Sequence, residues 1–169
     1  MTDTVKFYSL SVKDVKTYIF ASLFIVGNII LPQLCHAIPN GGFIFLPIYF
    51  FTLIGAYKYG WKVGLLTAVG SPLINHLLFG MPPVAVLPAL LIKSSLLALG
   101  ASYIAYKFEK VNILLLLAVV LGYQIVGCLV ESAIHSSILS GFQDFRIGIP
   151  GMLLQIFGGY SVIRYILKK

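Results

Sequence analysis

The sequence predicts an all-α membrane protein, one bundle of six transmembrane helices with both termini in the cytoplasm. Three observations carry this. Apolar residues make up 59% of the 169-residue chain and charged residues only 10%, against about 25% charged in a soluble domain. The apolar stretches recur from end to end without alternating polar and apolar positions, so they read as helices, not as strands of a closed barrel. Lysine and arginine gather in alternate turns, which orients the series.

A crossing takes about 20 residues, and breakers divide the chain accordingly. The first span covers residues 17–35 and is closed by His36-Ala37-Ile38-Pro39-Asn40-Gly41-Gly42. The second covers 43–57 and the third 62–79, after which Gly80-Met81-Pro82-Pro83 turns the chain. The remaining spans are 84–106, 113–139 and 147–167. Residues 1–16 form a short cytoplasmic segment, and the whole of 1–169 reads as one transmembrane domain. No length is left for a nucleotide-binding or other soluble catalytic domain. The first apolar run is too long for a signal peptide, and Gln33-Leu34-Cys35 lacks the small residues of a cleavage site, so it is kept as a span.

Ten basic residues fall at one side: Lys6, Lys13, Lys16, Lys58, Lys62, Lys107, Lys110, Arg164, Lys168 and Lys169. Arg146 alone marks the other, and Lys93 lies inside a span. The net charge of +7 is therefore read as topology and contact with anionic lipid, with no nucleic-acid partner expected. Cys35 and Cys128 sit in apolar segments and form neither a disulfide framework nor a CxxC metal site; packing accounts for both.

Polar groups within the spans concentrate in the outer half. Charges in hydrocarbon are costly and mark a site, a partner or a pathway. Gln124, Cys128, Glu131 and His135 are spaced four, three and four, so they share one face of the fifth span. The third span carries Gly64, Ala68, Ser71 and Asn75 as a small and polar stripe, with His76 beside its outer turn. Asn28, Pro32 and His36 come from the first span, and Gly148, Gly151, Gln155 and Gly158 from the last. Lys93 is the sharpest signal. Counted from Pro83 it lies near mid-membrane; if the helix begins at Pro88, a residue suited to a first turn, it lies one or two turns from the outer end. Its ammonium requires a partner: Glu131 as a structural pair, a ligand anion, or water reached by snorkelling.

Lys93, Glu131, His135, Asn75, His76, Gln124 and His36 are accordingly the candidate substrate-binding residues. Each has a plainer reading beside the functional one. Glu131 with His135 makes a helix clamp as readily as a ligand wall. Asn75 and Gln155 serve as interhelical hydrogen-bond glue, His76 sits favourably at a helix C-terminus, and His36 belongs to a wet loop. The three histidines and Glu131 have the chemistry for nickel, cobalt or zinc, but no HxxxH or HExxH spacing, so neither a metal nor another cofactor is expected. Gly60 and Gly64 form a G-x-x-x-G, and Ser94, Ala98, Ala101, Ser102 and Ala105 form a small-residue ridge for close packing inside the bundle or against a partner. Phe43, Phe45, Tyr49, Phe79, Phe142 and Phe145 read as interfacial belt residues, one or two of them able to close over a flat ligand.

The layout resembles the substrate-binding S components of energy-coupling factor transporters. The likeness lies in the whole-chain plan and in local wording: Ile38-Pro39-Asn40-Gly41-Gly42 after the first span, then Ile54-Gly55-Ala56-Tyr57-Lys58-Tyr59-Gly60-Trp61-Lys62-Val63-Gly64, similar to the family's glycine-punctuated passage into its third helix. The family's A-x-x-x-A pattern in the first helix is only partly matched by Ala21-Ser22-Leu23-Phe24-Ile25. The resemblance implies a multi-pass subunit of the cytoplasmic membrane that binds a vitamin or other micronutrient on the outer side. It further implies docking on a transmembrane coupling subunit with two cytoplasmic ATPases, and a gate at the loop around Pro39. The chain has no G-x-x-x-x-G-K-[ST] with which to hydrolyse ATP. Lys93 points to an anionic or zwitterionic ligand. Three alternatives stay open: an S component for a transition-metal ion, a membrane scaffold that binds no small molecule, and an intramembrane enzyme using Glu131 and His135. The last lacks a nucleophile elbow, an HExxH or paired carboxylates, and no enzymatic activity is expected.

Overall fold

The computed structural model describes residues 7–135 and 142–167, and every regular element among them is helical. The long elements are α1 (Val15–Cys35), α3 (Phe50–Tyr59), α4 (Trp61–Phe79), α5 (Leu87–Phe108) and α6 (Ile113–His135). Between α1 and α3 lie the short α2 (Gly41–Phe45) and a 3-10 turn, Pro47–Tyr49. After α6 come α7 (Gln143–Ile147), α8 (Ile149–Leu153) and α9 (Gly159–Ser161), α8 and α9 each running into a π turn (Leu154–Gly158, Val162–Ile166). Five stretches are long and apolar enough to cross a membrane: Val15–Cys35, Gly41–Tyr59, Trp61–Phe79, Leu87–Phe108 and Ile113–Ile134.

Each helix starts and stops where its residues require. Asn112 Oδ1 accepts the Leu114 N–H at 3.0 Å, satisfying a donor that the first turn of α6 leaves unpaired. Pro88 occupies the first turn of α5, where its missing N–H costs nothing. Gly60, at φ +95°, makes the corner between α3 and α4 in a conformation other residues rarely adopt. Directly beneath it, the chain is pinned by Tyr8 N–H to Lys58 O at 2.9 Å and Leu10 N–H to Tyr59 O at 3.3 Å.

Two prolines lie inside long helices, and both are compensated from a neighbouring helix. Proline cannot donate to the carbonyl four residues back, so Pro32 strands the Asn28 carbonyl and Pro72 the Ala68 carbonyl. Asn75 Nδ2 donates to Asn28 O at 3.0 Å, and the Ser94 hydroxyl donates to Ala68 O at 2.8 Å. In a bilayer, where water cannot make good the loss, this is how proline is accommodated.

The core is built on α3, in which eight consecutive residues from Thr52 to Tyr59 are buried. It is held by α1, α4 and α5, while α1 turns Tyr18, Ile19, Leu23, Val26, Ile30 and Leu34 outward, an apolar face fit for lipid. The two small-residue signals resolve as internal packing. A Cβ on Gly64 would lie 2.5 Å from Ala56 Cβ and 3.2 Å from Ala98 Cβ, so α3, α4 and α5 meet there without room for a methyl group. Ser94, Ala98, Ala101, Ser102 and Ala105 are all buried against the same neighbours.

Two expected spans differ. The second is broken: Leu46 takes φ +46° and Pro47 begins the 3-10 turn, because a proline there can neither continue the hydrogen bonding of α2 nor tolerate a helical residue before it. The orphaned Phe51 N–H at the head of α3 is met at 3.2 Å by Asn28 Oδ1. The last span starts later than residue 147: Ile147 ends α7, Gly148 separates it from α8, and the segment that follows widens twice into π turns. The end of the expected fifth span, beyond His135, lies outside the described residues.

Candidate functional site

At the end where α1 and α4 finish and α5 begins, a cavity of about 440 Å³ opens among these helices. Its wall on one side is the interrupted second span, through Gly42, Phe43, Leu46, Pro47, Ile48 and Tyr49. Non-helical backbone at membrane depth is tolerated where protein or a cavity covers it, and broken helices of this kind line binding sites in transporters. The size fits ordinary small-molecule pockets.

Opposite this wall stands the charge. Lys93, the seventh residue of α5, lies about 9 Å along the helix from its start at Leu87, so the shallower of the two depths read from the sequence holds. Its ammonium is 1% exposed and forms an ion pair with Glu131 of α6; both residues line the cavity. The lysine stem crosses α6 at Gly127, where a Cβ would lie 2.5 Å from Lys93 Cγ. Gly127 is thus the gap through which Lys93 reaches its partner, one turn from Glu131.

Asn75 lines the same cavity. Both protons of its Nδ2 are committed, to Asn28 O and to Ser71 O at 2.9 Å, so the group it offers inward is the acceptor Oδ1. Beneath it, Asn28 Nδ2 donates to Thr52 Oγ1 and Ser71 Oγ, each at 3.0 Å. This buried network fixes α1, α3 and α4 to each other directly below the cavity. His36, exposed at the end of α1, stands at the rim beside Gly42.

The structure therefore brings Lys93, Glu131, Asn75 and His36 together. His76 lies one residue past Asn75 but off the cavity, its Nδ1 bonded to the Pro82 carbonyl at 2.8 Å, where it closes the turn after α4. Gln124 is fully buried two turns below Glu131, and among the described residues neither its Nε2 nor its Oε1 has a hydrogen-bond partner. Gln155, also fully buried, accepts from Tyr123 O–H at 3.0 Å, and its Nε2 has no partner among the described residues. His135 closes α6, and its side chain lies outside the described residues. Among those residues no three of His, Cys, Asp and Glu gather to hold a metal ion.

Phe43 and Tyr49, read from the sequence as belt residues of which one or two could close over a ligand, both line the cavity. Tyr49 is 2% exposed, faces the cavity and packs against Tyr123 with ring centroids 5.3 Å apart. Pro47 was the available signal for the break in the span, since a proline inside an apolar run interrupts helical hydrogen bonding. At the opposite end, a larger and shallower hollow of about 940 Å³ is walled by Phe7, Tyr8, Tyr57, Trp61, Tyr103 and Tyr106, with Glu109 as its one charge among the described lining residues.

Compared with family models, with curated proteins and with solved structures, the chain gives no match. The class is set by the fold itself: an α-helical, multi-pass membrane protein.

Proposed function

We propose that the protein is the substrate-binding membrane subunit of an uptake system for a small water-soluble nutrient, a vitamin or a precursor of one. The observation that carries the reading is the buried Lys93–Glu131 pair on the wall of a 440 Å³ cavity, at the end of the bundle opposite Lys58, Lys62, Lys107, Lys110 and Arg164. A buried ion pair is weak as a source of stability, and one that borders a ligand-sized cavity has a use for its charges. By the distribution of basic residues the chain crosses the cytoplasmic membrane six times, residues 149–166 being the last crossing. Both termini then face the cytoplasm and the cavity faces out.

In this reading the broken second span and the loop at residues 36–40 form the mobile side of the site, and the network around Asn28 the rigid side. The chain has no ATP-binding loop of its own, so uptake against a gradient requires a separate motor. The energy-coupling factor arrangement, with a transmembrane coupling subunit and two cytoplasmic ATPases, meets that need and accords with the sequence resemblance. The chain itself carries out no covalent chemistry in this scheme.

The test is to purify the protein in lipid without added ligand and identify co-purifying small molecules by mass spectrometry. The reading predicts one bound species, absent from Ala89→Trp, in which an indole replaces a methyl group on the cavity wall. Finding no species on the wild type, or the same one on both proteins, refutes it.

A further inference from the structure

Lys93 taken alone suits an anion, but the cavity as a whole does not. Lys93 and Glu131 are the only lysine, arginine, aspartate or glutamate among the described lining residues, and they are bonded to each other. Their sum is zero wherever the proton between Nζ and the carboxylate resides. An anion that took Lys93 for itself would leave Glu131, 8% exposed, as a second buried negative charge beside it with no other lysine or arginine among the described lining residues, a costly arrangement.

The neighbouring groups tilt the same way. Asn75 has spent both donors on backbone carbonyls and offers an acceptor. At the start of α5 Pro88 has no N–H, and the N–H groups of Val86, Leu87 and Leu90 are bonded to Pro83 and Val86 carbonyls, which leaves Ala89 N–H as the one uncharged donor of that turn. Among the described lining residues, Lys93 thus faces the acceptors Glu131 and Asn75 Oδ1, with the uncharged amide of Gln33 and the imidazole of His36 exposed at the rim. Around them the wall is apolar, through Leu46, Pro47, Ile48, Ala89 and Leu90.

We infer that the cavity selects a dipolar ligand of zero net charge, a zwitterion or an uncharged polar molecule, and rejects net anions. The ligand's acceptor or anionic group bonds Lys93 Nζ, and its donor or cationic group bonds Glu131, with Asn75 Oδ1 as a further acceptor. Each bond broken within the pair is replaced, and the charge of the site is unchanged at every stage. This deepens the nutrient-binding reading and rests on it.

The experiment equilibrates lipid-reconstituted protein with a deproteinised small-molecule extract of whole cells, washes it, and identifies what is enriched over Ala89→Trp by mass spectrometry. On the wild type the enriched compounds are expected to carry no net charge at pH 7. Glu131→Gln leaves the cavity with one net positive charge and is expected to shift enrichment toward monoanions by tenfold or more. Net anions enriched on the wild type, or an unchanged set on Glu131→Gln, overturn the inference and leave the uptake reading standing. No enrichment on the wild type removes both. Should Glu131→Gln fail to fold, the double variant Lys93→Gln, Glu131→Gln takes its place. It is neutral in sum and is expected to enrich no net anion; a monoanion held by it overturns the inference.

Discussion

Removing one member of the Lys93–Glu131 pair is the perturbation whose size follows most directly from the structure. Lys93 is 1% exposed, its stem wedged against Gly127 and its ammonium held by Glu131. Glu131→Ala leaves that charge buried with its anion gone, a change that costs about 3–5 kcal/mol in buried pairs. Lys93→Ala strands the carboxylate, and it also opens a gap beside Gly127. Replacing both by apolar residues of similar volume, as in Lys93→Met with Glu131→Leu, removes the desolvation cost together with the attraction. The double variant should be at least as stable as the wild type, within the range of about 1–4 kcal/mol gained by such replacements. The assay is equilibrium unfolding in mixed micelles, read as a double-mutant cycle. The two single losses should exceed the loss of the double variant by several kcal/mol, and the stable double variant should capture no ligand. Single losses below about 1 kcal/mol, or a double variant as unstable as their sum, would refute the reasoning. The first outcome means that lipid headgroups or water reach the charges, the second that the pair is a structural requirement of the bundle.

Other expected outcomes follow from particular residues. Gln124→Leu removes two unpartnered polar atoms from a fully buried site, so it should leave stability unchanged or raise it by up to about 1–3 kcal/mol; a loss of stability in the same unfolding assay contradicts this. Asn28→Leu leaves Phe51 N–H without its acceptor and removes the donor to the Thr52 and Ser71 hydroxyls, Thr52 keeping its bond to the Ile48 carbonyl, and should cost about 1–3 kcal/mol for the bared N–H, checked by thermal unfolding. Gly64→Val forces side-chain atoms into Ala56 and Ala98 and should cost about 1–3 kcal/mol through overpacking, whereas Gly122→Ala, with nothing within 4 Å of the added carbon, should be tolerated.

What could be read from the residues divides along a physical line. Composition and basic-residue spacing were enough for an all-helical membrane bundle, because a bilayer permits few other solutions. The Lys93–Glu131 partnership was legible as one of three options, since an ammonium in hydrocarbon must find something and only one carboxylate stood at matching depth. Spacing along a face was weaker. Gln124 shares a face with Glu131, yet seven residues separate them by about 10 Å of helix, and the cavity does not reach that far. His76 follows Asn75 directly, but a step of one residue turns it about 100° around α4, away from the cavity and onto the Pro82 carbonyl. The break at Leu46 was the largest omission. A fifteen-residue apolar run absorbed Pro47 without comment, although the proline interrupts the helix there and opens the 3-10 turn that contains Tyr49. Nor does periodicity show that Asn75 and Ser94 repair the carbonyls freed by Pro32 and Pro72, because that pairing exists only once three helices are packed.

Orientation is the claim on which the rest depends: the cavity opens to the outside and the basic end lies within. Site-directed labelling with a membrane-impermeant maleimide tests it in intact cells, in a background with Cys35 and Cys128 replaced by alanine. Met81, 44% exposed on the cavity rim, and Tyr106, 80% exposed at the far end, are each changed to cysteine in turn. Met81→Cys should label without permeabilisation and Tyr106→Cys only after it. The opposite pattern would place the cavity on the cytoplasmic side and contradict an uptake site.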